Sequence, residues 1–191
     1  MARNPERRTA LVDAAIEVLA REGARGLTFR AVDTQAGVPV GTASNYFASR
    51  DDLFTQAGSR IHVRMAPDPA QVGEAMRPAP DHELVVELMR WLVRRMTAER
   101  TGYLAMLELR LEATRRPALQ AELDRAVRTA LDENIRFHLD NGLPGDADTV
   151  LVLYLAMTGL LVEHFTLPGV LSGTELDALV EKVVTRVLPP R

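Results

Sequence analysis

The residue types that support catalysis or metal binding are scattered along this 191-residue sequence. There is no cysteine, which excludes disulfides, thiolate metal sites and cysteine nucleophiles. No serine-nucleophile elbow, zinc-protease motif or phosphate-binding loop occurs, and the histidines lack the spacing of metal ligands: His62, His82, His138 and His164. These observations predict a protein that is not an enzyme and that has neither a metal site nor a cofactor.

A cluster of small polar residues is the most informative chemical feature. In the segment AVDTQAGVPVGTASNYFASRDDL (residues 31–53), Thr42, Ser44, Asn45 and Tyr46 stand where a core would be apolar. Hydroxyl and amide groups form hydrogen bonds with base edges in the major groove of DNA, and a tyrosine hydroxyl reaches phosphate. The cluster therefore predicts a DNA-contacting surface if a helix presents it outward.

The elements that must present this cluster are short helices. Cap residues and glycines predict helices over roughly residues 4–22, 28–36, 40–47 and 49–65. A turn at Gly37-Val38 joins the second helix to the third, which is helix-turn-helix geometry. On spacing alone, a plain hairpin of two helices explains the segment equally well.

The third of these helices has two predicted faces at helical spacing. The inward stripe is Val38, Ala43 and Phe47. The outward face is Val40, Gly41, Ser44 and Asn45, with Thr42 and Tyr46 at its edges. A small polar outward face allows a helix to enter the major groove.

The rest of the chain is also helical in its periodicity, and no segment alternates with period two for long enough to form a sheet. We therefore predict an all-α fold with about nine helices. The segment APDPAQVGEAMRPAP (residues 66–80) has four prolines and predicts a loop or hinge. Five helical segments follow, over residues 81–96, 103–116, 117–139, 147–165 and 174–188, with a break at Gly102.

Charge and hydropathy indicate where such a protein works. Residues 1–50 have seven arginines and five acidic residues, whereas the rest of the chain has 16 basic and 21 acidic residues. This basic front permits a nucleic-acid partner. No secretory signal is evident, and the apolar run over residues 150–162 is shorter than the roughly 20 residues of a membrane span. The sequence predicts a soluble, cytoplasmic protein with no membrane contact.

The segment LTFRAVDTQAGVPVGTASNYFASRDDLF (residues 27–54) resembles the N-terminal signature of the TetR (tetracycline-repressor) family of bacterial transcription regulators. Leu-Thr opens the second helix, Ala-Gly-Val turns into the third, and an acidic-Leu-Phe sequence begins the fourth. The resemblance implies phosphate contacts from Thr28, Tyr46 and Arg50, with Arg30 at a phosphate or a base. It implies base contacts from Val40, Gly41, Thr42, Ser44 and Asn45.

Three residues depart from the family pattern. Pro39 stands where the family usually has a serine-type cap, so we expect the fixed φ of proline, and not a side-chain hydrogen bond, to begin the third helix. Ser44 replaces a frequent tyrosine, and Ala43 replaces a larger core residue. For Arg3, Arg7 and Arg8, an exposed charge run is the simpler interpretation, and contacts with phosphate or the minor groove are the alternative.

The rear of the chain is expected to form a dimer, because one recognition helix contacts too few bases to be specific. The last two helices are strongly apolar, and packing them against a second copy as a four-helix bundle would cover them. The alternative is that both helices lie in the core of a single chain. The predicted dimer residues are Leu153, Met157, Leu160, Leu161, Leu176, Leu179, Val180, Val183, Val184 and Val187.

The TetR resemblance also implies that the rear domain senses a small molecule. Methionines and aromatic residues are usually core, but together they are able to line an adaptable apolar pocket. The preferred ligand-contacting residues are Trp91, Tyr103, Met106, Phe137 and Tyr154.

The predicted organisation is a helix-turn-helix DNA-binding domain in residues 1–49 and a helical ligand-sensing and dimerisation domain in residues 50–191. The helix from residue 50 to about residue 65 connects them and serves as a lever. We expect a repressor that binds a palindromic operator on double-stranded DNA as a homodimer and is released by a small apolar or aromatic effector. The alternative is a helical scaffold that binds protein and not DNA.

Overall fold

A computed structural model describes residues 4–190 as ten α-helices and one 3₁₀ turn, with no β-strand among these residues. The helices α1–α10 are Pro5–Gly26, Phe29–Gln35, Thr42–Tyr46, Arg50–Met65, Pro69–Ala75, His82–Ala98, Arg100–Ala113, Pro117–Asp140, Ala147–Thr166 and Leu176–Val187, and the 3₁₀ turn is Pro168–Leu171. The predicted all-α fold is confirmed, with one more helix among the described residues than expected.

The additional helix is α5, which lies in the proline-rich segment predicted to be a loop. Asp68 caps it by accepting a hydrogen bond from the N–H of Ala70 at 2.8 Å, and Pro69 occupies its first turn. An aspartate cap followed by proline begins a helix well, because proline presets φ and lacks an N–H that would be unpaired there. The prediction of a loop throughout this segment was therefore wrong.

The break between α6 and α7 also differs from the prediction. Gly102, expected to separate two helices, is buried inside α7, and the chain breaks at Glu99. A Cβ atom on Gly102 would lie 2.9 Å from Oε1 of Glu99. The glycine therefore makes room for the Glu99 side chain and does not end a helix.

The described residues pack as two compact units. The first unit combines the chain up to Ala66 with Glu99–Ala126, and the second combines Pro67–Ala98 with the chain from Val127 onward. Packing thus places α4 with α1–α3 and α7. The predicted division after residue 49 concerns function and stays a prediction.

In the first unit, α1 packs against α2, α4 and α7. The apolar stripe expected on this helix is fully buried: Leu11, Ala15, Val18 and Leu19. Burying each leucine or valine contributes roughly 1.5–3 kcal/mol, so the stripe anchors the unit. The helix breaks where the sequence predicts its end, at Gly23, whose φ of 69° is left-handed, and one further turn follows.

Ion pairs fasten α4 along α1. Arg60 donates through Nε and Nη2 to the two carboxylate oxygens of Asp13 at 2.9 and 3.0 Å. The hydrogen bond to Asp13 raises the pKa of Arg60. Arg64, one turn later, lies 3.7 Å from Asp13 and also pairs with Glu99. The forked geometry of these arginines fixes the register of the two helices.

In the second unit, α6, α9 and α10 pack against one another. Arg90 on α6 also pairs with Glu181 on α10 at 2.6 Å. One side of α9 stays open to solvent, where Leu151, Val152 and Leu155 are 38%, 45% and 58% exposed. By length and composition alone, α9 is apolar enough to cross a membrane, a test that core helices of soluble proteins also pass.

Candidate DNA-contacting surface and effector groove

The outward face of α3 is the candidate DNA-contacting surface. The residues predicted to point inward are buried or packed on the first-unit core: Val38, Ala43 and Phe47. On the other side, Val40, Ser44 and Asn45 are exposed, and Thr42 and Tyr46 lie half-buried at the edges. The predicted faces are confirmed except at Gly41, which was expected to face outward and is half-buried. The helix begins at Thr42, two residues later than expected.

A side chain from α2 caps α3. The fully buried Asp33 carboxylate accepts hydrogen bonds from the N–H of Gly41 through Oδ2 and of Ala43 through Oδ1, both at 2.7 Å. The Asp33 carbonyl oxygen accepts a third from the N–H of Val38 at 3.0 Å. The expectation that α3 begins at Pro39 without a side-chain hydrogen bond was therefore wrong, because the cap is supplied across the turn.

The polar side chains of α3 are preset by hydrogen bonds to its own first turn. Ser44 Oγ and Asn45 Nδ2 both donate to the Gly41 carbonyl oxygen, at 2.8 and 2.9 Å, and Thr42 Oγ1 donates to that of Pro39 at 2.6 Å. Each hydroxyl oxygen keeps acceptor capacity, and Asn45 keeps Oδ1 and one N–H. These groups match the donors and acceptors on base edges.

Arg8 closes the other end of α3. It donates through Nη2 to the carbonyl oxygen of Tyr46 at 2.8 Å and through Nη1 to Oε1 of Gln56 at 2.7 Å, and it lies 5.5 Å from the ring centroid of Phe47. Arg8 is therefore not part of an exposed charge run. Arg7 is exposed, and Arg3 lies outside the described residues.

The predicted phosphate-contacting residues differ in what their side chains already do. Thr28 is exposed and caps α2, where its Oγ1 accepts from the N–H of Ala31 at 3.1 Å, and Arg30 is exposed. Arg50 donates to the carbonyl oxygens of Leu27 and Ala24, both at 2.9 Å. It therefore fastens the start of α4 to the end of α1, and its phosphate contact stays a prediction.

The start of α4 is held by a second arginine as well. Arg116 donates through Nε to Glu112 at 2.6 Å and through Nη1 to Asp51, and its guanidinium lies 5.1 Å from the ring centroid of Phe54. The hydrogen bond from Arg116 lowers the pKa of Glu112, and the same bond raises the pKa of Arg116. Ser49 caps the helix as predicted, by accepting from the N–H of Asp52.

An open groove of roughly 470 Å³ lies along α5 and α6 in the second unit. Its acidic residues are Glu74, Asp81, Glu83 and Glu87, its basic residue is Arg94, and its apolar residues include Leu84, Leu88 and Trp91. Glu87 is already paired with Arg90 and Arg94. Among the described residues, no hydrogen bond or ion pair engages the carboxylates of Glu74 and Glu83, so the groove has negative charge beside an aromatic ring.

Trp91 also interacts with a cation of its own helix. The Arg95 guanidinium lies 5.1 Å from its ring centroid, and burial lowers the pKa of Arg95. The indole ring has the electron-rich face that cations and planar aromatic groups favour, and Arg95 already interacts with it.

Two family models match this chain. Residues 11–57 match the model described as bacterial regulatory proteins of the tetR family, and residues 80–190 match the tetracyclin repressor-like C-terminal domain. The chain belongs to the TetR family. It is thereby a ligand-responsive, DNA-binding transcriptional regulator. A comparison with curated proteins finds no match.

Solved structures similar to this TetR family chain span nearly its whole length. The multidrug binding protein EbrR complexed with imidazole is 29% identical, with a TM-score of 0.70 over 98% of each chain. EbrR complexed with ethidium is 30% identical, with a TM-score of 0.67 over 97% of this chain and 100% of that chain. A TetR family member from Streptomyces coelicolor is 29% identical, with a TM-score of 0.70 over 97% and 99%.

The predicted effector-contacting residues of this TetR family chain are divided between the two units. Tyr103 is buried and Met106 packs on the core, both in the first unit. Phe137 is 37% exposed and Tyr154 half-buried, both in the second unit. Of the five, only Trp91 lines the described groove, and their contact with an effector stays a prediction.

The predicted dimer residues are divided by burial. Five of them are buried in the protomer and are thereby unavailable to a partner in this conformation: Leu153, Met157, Leu161, Val180 and Val184. The other five are half-buried: Leu160, Leu176, Leu179, Val183 and Val187. The exposed large apolar residues of α9 include Leu151, Val152 and Leu155, which the prediction did not name, and the dimer interface stays a prediction.

The histidines do not assemble into a metal site. Within residues 4–190, no group of three or more histidine, aspartate or glutamate side chains is arranged to hold a metal ion. His138 is buried, with Nε2 3.0 Å from the carbonyl oxygen of Pro144. This histidine has a packing role.

Asp33 is the site residue that sequence analysis missed, although a signal was present. It follows Phe29 by four positions and precedes Ala36 by three, so it falls on the inward face of α2. A carboxylate at an inward position requires hydrogen-bond donors nearby. The glycine-rich turn eight residues later supplies them.

Proposed function

We propose that this TetR family protein is a cytoplasmic repressor that binds a palindromic operator as a homodimer and leaves it when a cationic aromatic molecule binds. The outward face of α3 carries the DNA part of the proposal. There, Ser44 and Asn45 are exposed on a helix whose opposite side is buried. Small polar residues on a projecting helix suit the depth and chemistry of the major groove.

Selection of duplexes from a random pool tests the DNA part. We expect an inverted repeat to be enriched, because a two-fold dimer reads two half-sites. Asn45→Ala should reduce discrimination against one wrong base by about 1–3 kcal/mol, while Arg30→Ala should weaken binding to all sequences. Binding should also fall steeply as salt rises.

A scaffold that binds another protein is the competing function. It predicts that no sequence is enriched and that any DNA binding is independent of both substitutions. Either result would refute sequence-specific binding to an operator.

The second part of the proposal is dimerisation through the exposed side of α9. Leu151, Val152 and Leu155 form a stripe at helical spacing, and Gly159, one turn further, is exposed with open space where a Cβ would lie. A glycine on an apolar stripe lets a second helix approach closely, and a second copy presents the same stripe around a two-fold axis. We propose that α9 packs there against α9 of the partner.

Light scattering on the eluting protein tests the dimer. The wild-type mass should be twice the 21.1 kDa of one chain, and Leu155→Arg should halve it, because a charge would be buried at the interface. Leu111→Arg is the matched control, since Leu111 on α7 has the same exposure of 58%. A mass that both variants leave unchanged would place the interface elsewhere.

The third part concerns the effector. The groove of the second unit combines the aromatic ring of Trp91 with the carboxylates of Glu74 and Glu83. Opposite charge and a planar ring are the features that hold a cationic aromatic molecule. The similarity to EbrR complexed with ethidium supports this class of effector.

Ethidium is a direct probe of the groove, because Trp91 is the only tryptophan in the chain and reports by fluorescence. We expect ethidium to quench this fluorescence and to weaken binding to the selected duplex. Glu74→Gln and Glu83→Gln should each reduce ethidium affinity, whereas Glu133→Gln, an exposed residue of α8 outside the groove, should not. Quenching that is equal in all three variants would refute the groove as the site.

The response to an effector is proposed to pass through α4. The helix begins beside α3 and is fastened to α1 by Asp13 and Arg60, so a shift of α4 must carry α1 with it. A coupling of about 1–3 kcal/mol weakens operator binding roughly 5- to 150-fold. Ethidium should weaken operator binding by the same factor by which the operator weakens ethidium binding, because the coupling is reciprocal. An operator affinity that is unchanged at saturating ethidium would exclude ethidium as effector.

A further inference from the structure

The two ends of α3 are held by charged side chains from other helices. We propose that Asp33 and Arg8 are positioning residues that set the sequence specificity of DNA binding, although the Asp33 carboxylate and the Arg8 guanidinium are committed to contacts within the first unit. This inference rests on the DNA-binding role proposed above. Asp33 and Arg8 fix the position of the reading helix, whereas other residues touch the bases.

A helix as short as α3 does not hold itself in place. It spans only Thr42–Tyr46, whereas isolated helices shorter than about 12–15 residues are marginal in water. Its N-cap residue, Gly41, has no side chain and a left-handed φ of 93°, so α3 has no side-chain cap of its own. External hydrogen bonds must satisfy its terminal groups.

Asp33 satisfies the N-terminal end. Its two carboxylate oxygens separately accept from Gly41 and Ala43 at 2.7 Å, and the side chain is fully buried, so solvent does not compete for these bonds. Two bonds to two different residues fix both the position and the direction of the first turn. The negative charge also lies at the positive end of the helix dipole.

Arg8 satisfies the C-terminal end. It donates to the last residue of the helix, Tyr46, and its second donated bond, to Gln56, continues through the Gln56 amide to Asp52 at 2.6 Å. Asp52 in turn accepts from the N–H of Ala48 at 2.9 Å. A polar chain therefore runs from α1 to the residues directly after α3, with positive charge at the negative end of the dipole.

Base readout is sensitive to such positioning. Hydrogen bonds to base edges require correct distance and angle, whereas attraction to phosphates tolerates small displacements. Loosening either end of α3 should therefore reduce affinity for the selected sequence and leave binding to a scrambled duplex of the same length nearly unchanged. Replacing a residue that itself contacts phosphate would instead weaken binding to both duplexes.

The test uses the full chain and three variants. Asp33→Asn keeps the shape and one acceptor oxygen but turns an amide N–H toward a backbone N–H. Arg8→Lys keeps the positive charge and loses the fork that spans two acceptors. Ile16→Val, in the buried core of the first unit, is the control for lost stability without an altered cap. Thermal melts set an assay temperature at which all are folded.

We expect Asp33→Asn and Arg8→Lys each to lower affinity for the selected duplex roughly tenfold, the size of one lost cap, and affinity for the scrambled duplex less than about twofold. Ile16→Val should change neither. A parallel loss on both duplexes, or unchanged affinity for the selected duplex in a folded variant, would overturn the proposal for that residue.

Amide hydrogen exchange separates this proposal from the proposed function. The amides of Gly41 and Ala43 should exchange faster in Asp33→Asn than in Ile16→Val, and equal protection would overturn the capping role. Failure of the wild-type chain to enrich any DNA sequence would instead overturn the proposed function. The exchange measurement would then still decide whether Asp33 holds α3.

Discussion

Replacing Arg50 by alanine separates a structural role from a DNA contact at one position. In the structure, its guanidinium donates to the carbonyl oxygens of Leu27 and Ala24 and lies 5.6 Å from the ring centroid of Phe54. Family resemblance assigns the same side chain to a phosphate. The structural role predicts that the substitution lowers the free energy of unfolding of the protein without DNA, whereas a phosphate contact alone predicts no such loss.

The expected loss in the free energy of unfolding follows from the contacts that Arg50 makes. A hydrogen bond from a charged group contributes roughly 1.5–3 kcal/mol when shielded from water, and a stacked cation contributes about 0.5–1 kcal/mol. Arg50 is half-buried, so water replaces part of each bond. We therefore expect Arg50→Ala to lower the free energy of unfolding by about 2–3 kcal/mol in total.

Urea unfolding followed by circular dichroism measures this loss, with Arg30→Ala as the matched control. Arg30 is exposed on α2, so its removal should change stability by less than about 0.5 kcal/mol. If Arg30 contacts phosphate, its removal should also reduce the salt dependence of DNA binding by about one unit of slope. A stable Arg50→Ala variant that loses DNA affinity and salt slope would refute the structural assignment.

Substitutions at three further positions probe the elements that support the site. Phe54→Ala should lower the free energy of unfolding by about 3–5 kcal/mol in urea titrations, since the ring is fully buried. Gly37→Ala should lower it by about 1–2 kcal/mol, and Gly37→Asn by less, because φ is 65°. Glu112→Gln should destabilise the protein at neutral pH. Because Arg116 lowers the pKa of Glu112 below 4.5, the wild-type advantage should shrink as pH falls below about 4.5, in urea titrations at several pH values.

Local signals predicted the N-terminal helices well because each helix end there has its own chemical cause. Thr28 and Ser49 cap α2 and α4 with their own hydroxyls, and Gly37 ends α2 in a left-handed conformation. The inward stripe of α3 followed from helical spacing. These features depend on residues close in sequence, so the sequence contains them directly.

Other features that the sequence did not predict depend on contacts between distant residues. Arg8 meets Tyr46 across 38 positions, and Glu108 accepts from the N–H of Ala24 across 84. An arginine near the N-terminus has the same local pattern whether it is solvated or holds a helix end. Its role is fixed only when the helices pack.

The burial of part of the predicted dimer stripe inside the protomer escaped the sequence analysis for a related reason. Because α9 is apolar almost all round, periodicity identifies no single face on it. Burial by α6 and α10 covers the side that includes Leu153 and Met157, and leaves Leu151 and Leu155 outside. Which side remained for a partner therefore depended on intrachain packing.

The cap of α3 illustrates how a departure from a family pattern is compensated in space. Pro39 removes the hydroxyl that the family pattern usually places before this helix, and Asp33, one helix earlier, supplies the acceptor. Moving the cap from the turn to α2 has a structural consequence. A cap from within the turn moves with α3, whereas a cap from α2 fixes α3 to the preceding helix. The position of the reading surface is thus tied to α2 at one end and, through Arg8, to α1 at the other.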